Sequence, residues 1–231
     1  MPKMDAKNAV RYLMQVSLRK FSFAAEDSDE TISVNIPEVL DGNYGMYVWP
    51  CAVVLAQYVW HHRDKIKGQC IIELGAGTAL PGVLAGRLGA HVTLSDACHL
   101  THCLDNCQRS CHANDLTGVK VIGLTWGQFS PEVLQLGQMD VILGSDCFYD
   151  TKDFEDVLVT VKYLLEKNKR AEFWTTYQER SSRRCIEHLL DKWSMTCRQV
   201  PLASFHADHP HLAGSTLPGD HNIQMMVITI R

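Results

Sequence analysis

The chain has 231 residues, with 22 Lys and Arg against 26 Asp and Glu, a net charge of −4 and a pI near 6.2. Its 46% hydrophobic and 21% charged content is that of an ordinary globular chain with an ample core, and its length favours one large domain, spanning 1–231, over two small ones. The acidic balance argues against binding nucleic acid by bulk electrostatics, no apolar run reaches the length of a membrane span, and nine Cys argue against a secreted disulfide framework.

Taken in chain order, residues 1–17 read as a short helix, with Val10, Leu13, Met14 and Ser17 near one face. The N-terminus carries no secretory apolar core, and the cysteine usage suits a reduced cell interior. Phe21 to Phe23 and Thr31 to Ile36 alternate with period two around an acidic link. That pattern predicts a β-hairpin in front of the main sheet, its second strand ended by Pro37. Residues 41–45 are predicted as a turn. Met46 to Pro50 then opens a helix to about His61, with Pro50 in the first turn, where its missing N–H costs little. Trp49 stands at the mouth of this helix. Core packing is the commoner role for such a Trp, and a lid over a ligand is the functional alternative.

The chain is organised around Cys70 to Gly82. An apolar run ends in Glu73, a turn contains Gly75, Ala76 and Gly77, and a helical pattern runs from Leu80 to Leu88. Strand, glycine turn and helix form the first unit of a cofactor-binding α/β sheet. A dinucleotide fingerprint needs a small residue where Leu80 stands, and a phosphate-binding loop needs a Lys that is absent here. A carboxylate two residues before Gly75 would repel a pyrophosphate. It suits S-adenosylmethionine, which carries an ammonium and a sulfonium and no phosphate.

His91 to Ser95 is a second strand, closed by Asp96. That acid lies roughly twenty residues beyond Glu73, the spacing at which a carboxylate takes both hydroxyls of a ribose; helix capping is a compatible second role. The helix predicted at about 99–112 carries Cys103, Cys107 and Cys111 every four residues. No zinc-type spacing accompanies them, so they are expected to pack as small hydrophobes rather than bind metal.

Lys120 to Thr125 is a strand, and Trp126 just beyond it stands where an adenine would be bounded, with core packing as the other role. Asp140 to Gly144 is the next strand and runs into Ser145, Asp146 and Tyr149. An acid and an aromatic at the carboxyl end of a central strand are where acceptor chemistry belongs. A helix over 152–166, a strand over 171–176, a helix to about 190, a strand to Val200 and a last antiparallel strand from Asn222 complete the sheet. His206, His209, His211 and His221 lie in a loop broken by Pro and Gly, and a surface role is expected for them rather than metal binding.

Gly45-x-x-x-Trp49-Pro50, Glu73-Leu-Gly-Ala-Gly-Thr78, Val92-Thr-Leu-Ser-Asp96, Trp126-Gly127 and Ser145-Asp146-x-x-Tyr149 occur in that order. As a set they resemble the seven-β-strand protein methyltransferases of methyltransferase family 16, over about residues 20–231. The resemblance implies a Rossmann-like α/β fold, a seven-stranded sheet with an N-terminal hairpin extension and bound S-adenosylmethionine. It also implies cofactor contacts from Trp49, Gly75, Ala76, Gly77, Asp96, Trp126 and Ser145, beside the Glu73 carboxylate. Asp146 and Tyr149 match the family's acid-x-x-Tyr element at the acceptor entrance. Ala79 replaces the family's usual Gly, which bears on helix packing more than on ligand contact.

The resemblance implies a protein acceptor, a nuclear and cytoplasmic location, and a monomer with no membrane or strong nucleic-acid partner. The element Asp146-Cys-Phe-Tyr149 lacks the prolines of many base-directed amino-methyltransferases, which agrees. The run from Met46 through Leu-Thr-Trp126-Gly127 to Ser-Thr-Leu-Pro-Gly219 implies a histone H3 arginine. Lysine on a chaperone-type partner is the alternative, and a non-catalytic adaptor of the same fold is a further one. Asp146 and Glu179 are the carboxylates available to an arginine.

Overall fold

The computed structural model describes residues 16–39, 46–181, 185–218 and 222–231. The helix predicted for the first residues, the turn at 41–45, Gly45 of the first motif, Gly219 and His221 lie outside them.

Seven strands form one sheet: β3 (Cys70–Glu73), β4 (His91–Asp96), β5 (Lys120–Gly123), β6 (Val141–Ser145), β7 (Glu172–Gln178), β8 (Met195–Val200) and β11 (Ile223–Ile230). Their spatial order is β5-β4-β3-β6-β7-β11-β8. The first five are parallel, and β11 runs antiparallel between β7 and β8. The order reverses between β3 and β6. A crevice opens at such a switch point beyond the carboxyl ends of the strands, and ligands of open α/β sheets bind there.

Alternate residues of each central strand serve opposite faces, as a period of two requires. Ile71, Leu143, Trp174 and Val227 join one apolar cluster; Ile72, Ile142, Phe173 and Met226 join the other. On the first face lie α1 (Pro50–His61), α3 (Leu80–Arg87) and α4 (Thr101–His112). On the second lie α6 (Phe154–Lys167) and α7 (Glu187–Lys192). Burial on both faces is why these strands read as apolar runs rather than as alternating patterns. Two short helices, α2 (Arg63–Ile66) and α5 (Pro131–Leu134), join the larger elements.

The hairpin pairs β1 (Val16–Ala24) with β2 (Thr31–Val39) as a separate two-stranded sheet. Phe21, Phe23, Val34 and Ile36 point into the first cluster. Asn114 brackets Asn35, accepting from its N–H at 2.8 Å and donating to its C=O at 2.7 Å, and Trp60 Nε1 donates to Ala24 O at 3.1 Å. Two expectations are corrected here. Ser17 belongs to β1, not to a helix. Pro37 does not end the second strand: it pairs with Leu18 inside β2, which continues to Val39. In a two-stranded sheet the missing N–H need cost no ladder bond, and the Pro37 carbonyl is taken by Asn106 Nδ2 at 3.1 Å.

The loop after β8 is more ordered than predicted. It holds a 3₁₀ turn at Leu202–Phe205 and a small ladder of β9 (His211–Leu212) with β10 (Ser215–Thr216). Among the described residues no group of three His, Cys, Asp or Glu gathers at metal-binding range. His206 lies 2.9 Å from Glu26, and His211 Nδ1 lies 3.3 Å from Thr216 Oγ1. Cys103, Cys107 and Cys111 are buried thiols on the inner face of α4, and burial pushes each of them up.

Candidate active site

The site begins where β3 ends. Leu74 N–H donates to Leu143 O at 2.8 Å, so pairing with β6 continues one residue past the strand. Gly75 and Gly77 then take left-handed φ values of 60° and 53°, and the chain turns beyond the carboxyl end of β3. Ala76 N–H donates to Ser95 O at 2.9 Å and Gly77 N–H to Asp96 Oδ2 at 2.8 Å, so the end of β4 pins the turn. Trp126 lies against it: a methyl group on Gly75 would stand 2.9 Å from Trp126 Cζ2. Trp126 is held in turn by Gly127, whose N–H donates to Thr160 Oγ1 of α6 at 2.8 Å.

Asp96 is 7% exposed. Its Oδ1 accepts from Ala97 N–H at 2.8 Å, while Oδ2 serves Gly77. Burial raises its carboxyl above the usual range, against the pull of these two N–H groups. Each oxygen keeps a further lone pair, which a diol requires. Asp96 does not cap α4; that helix starts at Thr101, behind Leu100.

Glu73 is placed differently from an open ligand residue. It is fully buried, its Oε2 accepts from Gly82 N–H in α3 at 2.8 Å, and its Oε1 has no hydrogen-bond partner among the described residues. Burial pushes this carboxyl up to about 8, opposed by the Gly82 bond and reinforced by Asp96. This carboxyl group ties β3 to the first turn of α3 beneath the glycine turn.

The close strand–helix contact comes at Gly82, which sequence reasoning passed over. A Cβ there would stand 2.4 Å from Leu94 Cδ2 and 2.5 Å from Glu73 Oε2. A glycine inside a helical pattern was the available signal. Ala79, the residue before α3, holds φ at +62°, a conformation suited to glycine.

Ser145 closes β6, and Asp146 follows in the left-handed region at φ +53°. Asp146 N–H donates to Thr176 O of β7 at 2.8 Å. Its carboxylate is gripped by the Arg180 fork, Nη1 to Oδ1 at 2.8 Å and Nη2 to Oδ2 at 2.5 Å, and Gln178 N–H reaches Oδ1 at 3.3 Å. This pairing raises the Arg180 guanidinium further. Nothing in local sequence joins two residues 34 positions apart, and Arg180 was missed. Glu179, the other candidate carboxylate, bonds to β11: its Oε2 accepts from Gln224 Nε2 at 3.1 Å.

Tyr149 is 52% exposed, its ring centroid 6.4 Å from that of Trp126. Burial of its inner part and the carboxylate of Asp153 raise its hydroxyl. Trp49 is not in the core: it is 40% exposed at the start of α1, edge-on to Tyr47 with centroids 5.6 Å apart. Thr176 Oγ1 donates to Cys51 O at 2.8 Å and ties that helix start to β7 beside Asp146. The chain thus brings Gly75, Ala76, Gly77, Asp96 and Trp126 together, sets Glu73 below them, carries Asp146 and Tyr149 beyond the carboxyl end of the central strand β6, and places Trp49 two residues before the Cys51 that β7 holds. A turn of bare backbone, a flat ring against it and a carboxylate with lone pairs to spare fit S-adenosylmethionine.

A profile of methyltransferase family 16, described as lysine methyltransferase, matches residues 28–190. The histone-arginine methyltransferase METTL23 of Xenopus laevis is 56% identical over 202 residues, 87% of this chain and 86% of that protein. The protein of that name from Rattus norvegicus is 51% identical over 91% of this chain and 96% of its own length. Protein N-lysine methyltransferase METTL21A of Mus musculus is 37% identical over 52% of this chain and 56% of its own. The fold is shared with magnesium protoporphyrin IX methyltransferase from Synechocystis with bound S-adenosylmethionine, at 13% identity and a TM-score of 0.54, covering 78% of this chain and 79% of that one. The chain belongs to methyltransferase family 16 and is a protein methyltransferase that uses S-adenosylmethionine.

Proposed function

We propose that this enzyme methylates an arginine side chain of a histone, H3 foremost, and works in the nucleus. The observation that carries this reading is identity of 51–56% to proteins named histone-arginine methyltransferase, over 86–91% of the chain. S-adenosylmethionine supplies a methyl group on a sulfonium, already activated for displacement. The protein's work is then to place the acceptor nitrogen and keep it neutral. A guanidinium is charged at neutral pH, since its pKa lies above about 12.

Gly75, Ala76 and Gly77 offer backbone to the cofactor, Asp96 takes its hydroxyls, and Trp126, Trp49 and Ser145 bound its edges. Glu73 serves the same site by holding the turn to α3. Asp146 orients the acceptor N–H and Tyr149 lines its approach beside Trp126.

Incubation of the purified chain with core histones and methyl-labelled cofactor, followed by mass spectrometry, tests this reading. Label on arginine is expected, and label confined to lysine would overturn it. Asp146→Asn should leave cofactor affinity nearly unchanged and slow transfer by about tenfold or more. Transfer at the parent rate would remove Asp146 from the acceptor site.

A second reading is lysine on a chaperone-type partner. The match to a lysine methyltransferase family supports the lysine in this reading. So does the Asp146 carboxylate, whose two-pronged seat for a guanidinium is already filled by Arg180.

A further inference from the structure

Asp146 is 12% exposed at its side chain, and three donors from the end of β7 converge on it: both arms of Arg180 and the Gln178 N–H. Arg180 is itself tethered to that strand, with Nη1 3.2 Å from Gln178 O. A carboxylate offers about four acceptor positions, so this arrangement leaves about one. A parallel fork–fork pair also fixes the plane of the carboxylate, which a single bond does not.

We propose that Arg180 is the positioning residue of the acceptor site. It sets the plane of the Asp146 carboxylate and offsets its charge, so that the acceptor nitrogen meets one directed lone pair rather than a free anion. A bare carboxylate at the entrance would hold a lysine or arginine most strongly in its protonated, unreactive form. A paired one discriminates less in favour of the cation while still aiming an N–H. The inference rests on Asp146 standing at the acceptor end, as proposed above.

The test uses the full chain with Arg180→Ala and Arg180→Lys. The acceptors are core histones and, in parallel, total lysate protein. In Arg180→Ala, kcat should fall by about tenfold or more, with KM for the acceptor and the cofactor Kd each within about threefold of the parent. Arg180→Lys keeps the charge and loses the fork, so its rate should lie between the two; it carries the kcat-against-KM comparison if Arg180→Ala does not fold. Millimolar methylguanidinium should raise the rate of Arg180→Ala and leave the parent unchanged.

Parent-level kcat in Arg180→Ala would overturn the inference. A loss that methylguanidinium does not rescue, accompanied by a lower Tm and weaker cofactor binding, would make the pair only a tie between β6 and β7. A lower KM with inhibition by methylguanidinium would mean that Arg180 occupies the acceptor's own seat. Asp146→Asn separates the two levels. If it is slow while Arg180→Ala is not, only the Arg180 inference fails; if it runs at the parent rate, the reading of Asp146 fails first.

Discussion

Asp96 holds the glycine turn: its Oδ2 accepts the Gly77 N–H at 2.8 Å, 19 residues back along the chain. One carboxylate therefore shapes the turn, and the ribose role proposed for it would use the lone pairs left beside the Gly77 and Ala97 bonds. Asp96→Ala should weaken S-adenosylmethionine binding by about ten- to a hundredfold, the effect of losing charge-assisted bonds. It should also destabilise the fold by roughly 1–3 kcal/mol, because the N–H groups of Gly77 and Ala97 lose their acceptor. Calorimetry and denaturant titration read the two effects. A folded variant with unchanged affinity would exclude the ribose role.

Trp126 and Gly75 should behave as a coupled pair. An added methyl at Gly75 meets Trp126 Cζ2 at 2.9 Å, and the backbone there has φ +60°. Gly75→Ala is expected to cost about 1–3 kcal/mol and to displace the indole. In Gly75→Ala/Trp126→Ala the steric part should vanish and the backbone part remain. The double-mutant cycle should therefore show a coupling of about 0.5 kcal/mol or more. Simple additivity would mean that the ring already moves freely off the turn.

Ala79 carries a left-handed φ of +62° without being glycine. That conformation costs an L-residue roughly 1–2 kcal/mol. Ala79→Gly relieves it but loses one buried methyl, worth about 0.8 kcal/mol. The variant should unfold at an equal or slightly higher Tm, gaining up to about 1 kcal/mol. A clear loss of stability would show that the buried methyl outweighs the backbone.

Glu73 gives a pH signature. Its folded carboxyl is raised from 4.5 to about 8, so between those values the folded state keeps a proton that the unfolded chain gives up. This contribution to stability is fully present below pH 4.5 and is lost progressively as pH rises towards 8. The loss is on the order of several kcal/mol. Glu73→Gln mimics the protonated acid, so its melting temperature should match the parent's in acid and exceed it near pH 8. Parallel stability curves across that range would show that the carboxyl is ionised throughout.

Much of this was legible in the chain because it is written locally. An apolar run over Cys70 to Ile72, two glycines after an acid and a helical pattern from Leu80 report on a few consecutive residues. Strand periodicity, turn chemistry and helix spacing are physical consequences of that short range. Asp96 was legible for the same reason, as the acid that ends the next strand. The seven-stranded sheet was what the resemblance carried by these motifs implied, and seven strands form it.

The tertiary structure decided what depends on neighbours distant in sequence. Pro37 stays inside a strand because its sheet has only two strands. Trp49 is exposed although a Trp is by habit buried, because the chain entering α1 turns Val48 and Cys51 into the core and Trp49 outward. Glu73 became a buried acid because Gly82 lets α3 come close enough to bond it. Asp146 met Arg180 because β6 and β7 lie side by side, a pairing made only when the sheet assembles. Periodicity tells each residue which face it serves; burial, charge state and partner are set by whichever element packs against that face.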